Sequence, residues 1–159
     1  MRIIGIDPGL TKTGVGIIDV TGSSLSYVSS RTIRTNPKDD LSDRLLYLHA
    51  NLMEIIQEFK PELSAIEETF VNKNPISSLK LGHARGTLML TLAICGLKVY
   101  EFSATSVKKS VVGVGRADKD QIKMMIKVLL PKSQVEREDE ADALAVAICC
   151  NANYRSWGL

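Results

Sequence analysis

The sequence predicts an α/β domain in which a central mixed sheet of five strands carries helices on both faces. Three observations carry that expectation. Apolar, β-favouring runs crowd the first 33 residues and recur singly after Pro61 and after Gly96; helical spacing fills the intervals; and 159 residues, 45% of them hydrophobic, suffice for one packed core. The expected organisation is a single domain over 1–159, with its core at about 2–150 and a short C-terminal tail.

Residues 2–7 and 14–20 are apolar runs separated by PGLTKT, and a third run at 24–33 follows Thr21-Gly22, which reads as a three-stranded meander. From Leu41 to Phe59 the apolar positions 41, 45, 48, 52, 55, 56 and 59 keep a helical period, and Pro61 closes the segment. LSAIEETF is too short for a helix and reads as a buried strand, although acids at its far end are unusual in a core. Ile76 to Cys95 is helical again with Gly96 as its C-cap, and LKVYEFS supplies the fifth strand. A short helix from about Ser106, a basic loop VGVGRADK and a helix opened by Asp118 follow. Asp118 with Gln121 fits a capping box, a structural role. The last helix runs from about Glu136 to Asn153.

The net charge of +2 conceals an uneven distribution: residues 70–132 hold eleven Lys/Arg against three Asp/Glu, while the segments on either side are acidic. That arrangement suits a polyanion held by the basic middle and presented to carboxylates; ordinary solvated helix faces are the bland alternative. The longest run of small apolar residues, Ala143 to Cys150, is too short to span a bilayer, so a cytoplasmic protein without a membrane partner is expected. Cys95, Cys149 and Cys150 lack a CxxC spacing and read as buried free thiols. His49 and His83 lie within helices without neighbouring ligand spacing, which favours packing or surface roles.

The chemistry concentrates in acids at three element ends. Asp7 closes the first strand, Glu67 and Glu68 close the strand LSAIEE, and EREDEADALA opens the last helix. Brought together, such carboxylates repel one another unless a hard divalent cation, Mg²⁺ or Mn²⁺, lies between them. Two such ions would support phosphodiester hydrolysis. Asp139 and Asp142 share a helix face, but Glu138 with Asp142 fits equally well. Strand alternation lets only one of Glu67 and Glu68 point at the site. Turn formation by Asp7 and a favourable helix dipole for EREDEAD are the competing readings.

At this point the chain resembles the RuvC family of Holliday junction resolvases, which have a ribonuclease H-like fold. The resemblance runs through GIDPGLTKTGVG, AIEETF, LKLGHARG, VKKSVVGVGRADK and DEADALAVAI, in order. It implies that Asp7, Glu67, Asp139 and Asp142 are catalytic metal ligands for Mg²⁺, two ions per site, with Mn²⁺ as substitute. It likewise implies that Phe70 probes the base stack at the crossover and that Lys108 and Lys119 act near the scissile phosphate. Lys109, Arg116 and Thr13 are expected as further DNA contacts.

The implied activity is Mg²⁺-dependent, structure-selective cutting of four-way junction DNA by symmetric paired nicks, leaving 5′-phosphate and 3′-hydroxyl ends, in recombination and repair. Gly82 and Gly86 lie four apart on a helix that family enzymes place in a two-fold interface, so a homodimer is expected. RuvA and RuvB, the branch-migration proteins, are the implied partners. The opening motif also looks like the first phosphate loop of actin-like ATPases and sugar kinases, but such proteins need two lobes and this chain has residues for one.

Overall fold

The structure, a computed structural model, describes residues 1–68 and 74–156. Its sheet is built from β1 (Arg2–Asp7), β2 (Lys12–Thr21), β3 (Ser24–Arg34), β4 (Leu63–Glu67) and β5 (Val99–Phe102), in the order β3-β2-β1-β4-β5. The first three strands form the expected antiparallel meander. β4 then pairs parallel to β1, and β5 parallel to β4. Because β1 and β4 run the same way and Ile6 pairs with Ile66, Asp7 and Glu67 leave the sheet at the same edge.

Alternation along the strands sorts side chains between two cores. Ile3, Ile18 and Ala65 face a core shared with α3 (Ala104–Val112), α4 (Lys119–Leu129) and α5 (Glu138–Ser156). Ile4, Ile6, Val15, Ile17 and Ile66 face the opposite core, shared with α1 (Leu41–Phe59) and α2 (Pro75–Ile94). Helices therefore cover both faces, as the periodicity predicts. The same alternation puts Asp7 on the side of Ile3 and Glu67 on the side of Ala65, both toward α5.

α5 approaches the sheet unusually closely. A Cβ on Gly16 would lie 2.6 Å from the Leu144 backbone nitrogen, one on Gly5 would lie 2.5 Å from that of Ala147, and one on Gly14 would strike the Asp139 carbonyl oxygen. Glycines inside strands often mark such close backbone approach. Here they form a bare patch on β1 and β2 against which the alanine-rich α5 lies.

Several element ends differ from the sequence expectation. β2 starts at Lys12, two residues early, and α3 starts at Ala104 because the Ser103 hydroxyl accepts from Ser106 N at 3.2 Å. α2 is capped at its start by Asn74, whose side chain accepts from Ile76 N and Ser77 N. At its end Cys95 is the cap and Gly96 follows in a left-handed conformation, φ 77°, with Gly96 N bonded to Ala93 O and Leu97 N to Leu92 O, both at 3.0 Å. This is the Schellman arrangement, which moves the glycine one place beyond the cap. The capping box is present: Asp118 accepts from Gln121 N at 2.8 Å and Gln121 accepts from Asp118 N at 2.9 Å. On α1, Leu48, Leu52, Ile55 and Ile56 are buried as their spacing predicts, but so is Arg44, while Leu41 is exposed.

Candidate active site

The hairpin between β1 and β2 is a rigid mount for Asp7. The Thr13 hydroxyl donates to Gly9 O at 2.6 Å and accepts from Gly9 N at 3.3 Å, tying the Pro-Gly turn to the start of β2. Thr13 is fully buried, so its expected DNA contact is corrected: the hydroxyl is spent on the turn that presents Asp7.

Asp7, Glu67, Asp139 and Asp142 are each half-buried on this edge, whereas Glu68, the residue just beyond β4, is exposed. They share one electrostatic neighbourhood. Burial first, then the charges of Asp142, Glu67 and Asp139, push the Asp7 carboxyl up to about 8, with Lys119 opposing the shift. Glu67 is raised by burial and by Asp142, against the pull of Lys108. Asp142 is raised mainly by burial, with Lys119 opposing and Glu138 and Asp139 adding to the rise. Glu138 itself is turned outward: it bonds Lys119 Nζ at 2.5 Å, and that bond holds its carboxyl below the usual range.

Lys108 and Lys119 each lie within electrostatic reach of the acids. Lys109 and Arg116 are exposed on the same α3–α4 shoulder. Phe70 lies outside the described residues. Three positioning interactions escape the sequence reading. The Thr32 hydroxyl on β3 bonds the Asp139 carboxylate. Arg85 on α2 donates from Nε to the Glu67 carbonyl oxygen at 3.1 Å, and its guanidinium pairs with Glu101. The third is the glycine patch, whose signal, three glycines inside β-favouring runs, is readable in the sequence. Thr32 and Arg85 carry no such signal.

The remaining residues behave structurally. His49 Nδ1 meets Thr91 Oγ1 at 2.8 Å between α1 and α2, and Cys95, Cys149 and Cys150 are free thiols. Burial pushes the Cys150 thiol up to about 12. Among the described residues no helix is long and apolar enough to cross a membrane.

The donor set suits a hard cation: all four side chains are carboxylates, and burial first, with neighbouring negative charge second, raises Asp7, Glu67 and Asp142 above the ordinary carboxylate range. The carboxylates nonetheless stand apart. Among the described residues no group of three or more His, Cys, Asp or Glu is gathered tightly enough to hold an ion. Like charges in such a setting have no reason to converge without a counter-ion, and Asp139 is held toward Thr32.

Comparisons with known proteins show the family. The family model described as crossover junction endodeoxyribonuclease RuvC matches residues 3–150. A crossover junction endodeoxyribonuclease of Xanthobacter autotrophicus is 54% identical over 155 residues, covering 98% of this chain and 91% of that protein. One from Rhizobium leguminosarum is 51% identical over 149 residues, covering 94% and 88%. Among solved structures, T. thermophilus RuvC in complex with Holliday junction substrate superposes with a TM-score of 0.90 at 31% identity, covering 99% of this chain and 96% of that one.

Proposed function

The chain belongs to the RuvC family of crossover junction endodeoxyribonucleases, and from that membership and its carboxylate edge we propose that it resolves four-way DNA junctions by paired, symmetric nicks. The observation that carries the reading is the placement of Asp7, Glu67 and Asp142 at the common end of β1, β4 and α5, each raised by burial first and by neighbouring acids second.

Asp7, Glu67, Asp139 and Asp142 would hold Mg²⁺, for which Mn²⁺ is the natural substitute. When bound, the ions supply a Lewis acid that makes water nucleophilic and neutralises charge on the phosphate oxygens. The chain's own residues do the rest. The carboxylates accept hydrogen bonds from the attacking water and orient it. Lys108 and Lys119 place positive charge beside the phosphate as negative charge builds on it. Water adds to phosphorus, the bond to the 3′ oxygen breaks, and that oxygen takes a proton, which leaves 5′-phosphate and 3′-hydroxyl ends. Phe70 is the residue we assign to the unstacked step at the crossover, and Lys109 and Arg116 are general phosphate contacts.

Two symmetric nicks need two sites, and α2 offers the surface for pairing them. A Cβ on Gly82 or Gly86 would meet nothing within 4 Å, and Ile76, Leu79, Leu90 and Ile94 on the same helix are exposed. An apolar helix face with open glycines fits the same face of a second copy, giving a two-fold homodimer. RuvA and RuvB are the expected partners upstream, and the cytoplasm the expected compartment. Asp7→Asn tests the reading: cleavage lost with junction binding retained is expected, and unchanged cleavage would remove Asp7 from the metal site.

A further inference from the structure

On the other side of the same sheet edge lies a cleft of about 330 Å³, lined by Leu10, Thr11, Arg44, Ser77 and Lys80 among others, and among the described residues no carboxylate lines it. Its anchor is Arg44. That side chain is 7% exposed, with Nε donating to Thr35 Oγ1 at 2.9 Å and Nη2 to Thr11 Oγ1 at 3.1 Å. Both acceptors are neutral hydroxyls, and among the described residues Arg44 makes no ion pair. Asp39 lines a neighbouring hollow with Arg44 but accepts instead from Asn36 Nδ2 at 2.9 Å.

A guanidinium buried without a carboxylate is costly, and the cost is offset when an anion arrives. The rest of the lining suits a phosphate. Lys80 is exposed at the mouth, Thr11 adds a hydroxyl, and Ser77 lies in the first turn of the 20-residue helix α2, whose positive end faces that region of the chain. The wall is also fixed to the catalytic hairpin. Thr35 N donates to Thr11 O at 3.1 Å, its hydroxyl donates to Leu10 O at 2.5 Å, and the chain from Asp7 to Thr11 can span at most about 14 Å.

We propose that this cleft is a second phosphate subsite, which holds a backbone phosphate of the junction other than the scissile one, with Arg44 as buried anchor and Lys80 as outer charge. It rests on the junction-nuclease reading above. It would fix the strand on the α2 side of Asp7 while Lys108 and Lys119 engage it on the α3–α4 side. No periodicity in the sequence marks it, because Arg44 occupies a buried position within an otherwise apolar helix face.

The test uses four-way junctions in which one phosphate at a time is replaced by an uncharged methylphosphonate, with binding measured in the absence of divalent cation. The full-length protein, Lys80→Met and Arg44→Lys are compared. For the unaltered protein, one non-scissile position weakens binding about fivefold to tenfold when neutralised. In Lys80→Met and Arg44→Lys that penalty shrinks to less than about twofold while the penalties elsewhere persist, the signature of a coupled pair. Lys80 is exposed, so Lys80→Met carries the test if Arg44→Lys does not fold. Identical penalty profiles in all three proteins overturn the proposal. So does inorganic phosphate stabilising the unaltered protein but not Lys80→Met when the profiles are identical, since the cleft then takes a free anion. Failure of the underlying reading looks different: the unaltered protein itself would bind linear duplex as well as junction.

Discussion

Gly14 of β2 lies against the carbonyl oxygen of Asp139 on α5, so close that a Cβ has no room. This contact sets the height of the first turn of α5 above β1, and with it the position of two of the four acids. Gly14→Ala must lift that turn or distort β2. The expected result is a loss of about 1–3 kcal/mol in stability and a far larger loss of cleavage, since the acids separate. Gly82→Ala, which meets open space inside α2, should instead raise the stability of the isolated chain by about 0.5–1 kcal/mol. Thermal melts of both variants, with a junction cleavage assay, check the contrast.

The Asp7 carboxyl makes stability depend on pH in a defined sense. Its folded-state value is raised from 3.8 to about 8, so its contribution is full below the unfolded value and is lost as pH rises through the folded one. Without divalent cation, Asp7→Asn should therefore match the unaltered protein near pH 4 and gain on it steadily up to pH 8, at most by roughly 1.4 kcal/mol for each pH unit crossed. Added Mg²⁺ should narrow or reverse the difference. A melting-temperature difference that is flat with pH would show that Asp7 is not burdened by its neighbours.

Lys119 lowers the charge cost at Asp7 and Asp142 while bonding Glu138. Lys119→Met should slow single-turnover cleavage by roughly ten- to a hundredfold with little change in melting temperature, because the Lys119–Glu138 pair is exposed. A rate within twofold of the unaltered protein, roughly the scale of a screened surface charge, would take Lys119 out of the reaction.

Leu79→Glu combined with Leu90→Glu should yield a folded monomer, because both side chains are exposed, 63% and 61%, and support nothing within the chain. Sedimentation equilibrium reads the dimer, circular dichroism the fold. Persisting dimers would move the interface off α2.

Much of this was legible in the sequence where one periodicity dominates. The β1–β2–β3 meander, the α1 stripe and the Asp118–Gln121 box follow from alternation, helical spacing and capping chemistry, all local. Spacing alone left Glu67 level with Glu68 and Asp139 level with Glu138. The resemblance chose between them; in the fold β4 turns Glu67 to the side of Ala65, toward α5, and Glu138 bonds Lys119. Thr13 misled because a hydroxyl after a Pro-Gly turn suits a phosphate as well as it suits the turn. Arg44, Thr32 and Arg85 were invisible for a different reason: each acts across elements far apart in the chain, and nothing local distinguishes them from ordinary polar residues.

The central claim is most directly tested by incubating the protein with an end-labelled, mobile four-way junction and Mg²⁺, beside a linear duplex of the same sequence. The account predicts paired nicks in two strands of like polarity in the junction, ligatable ends, and an intact duplex. Equal cutting of the duplex, or no cutting of the junction by a protein that binds it, would contradict it.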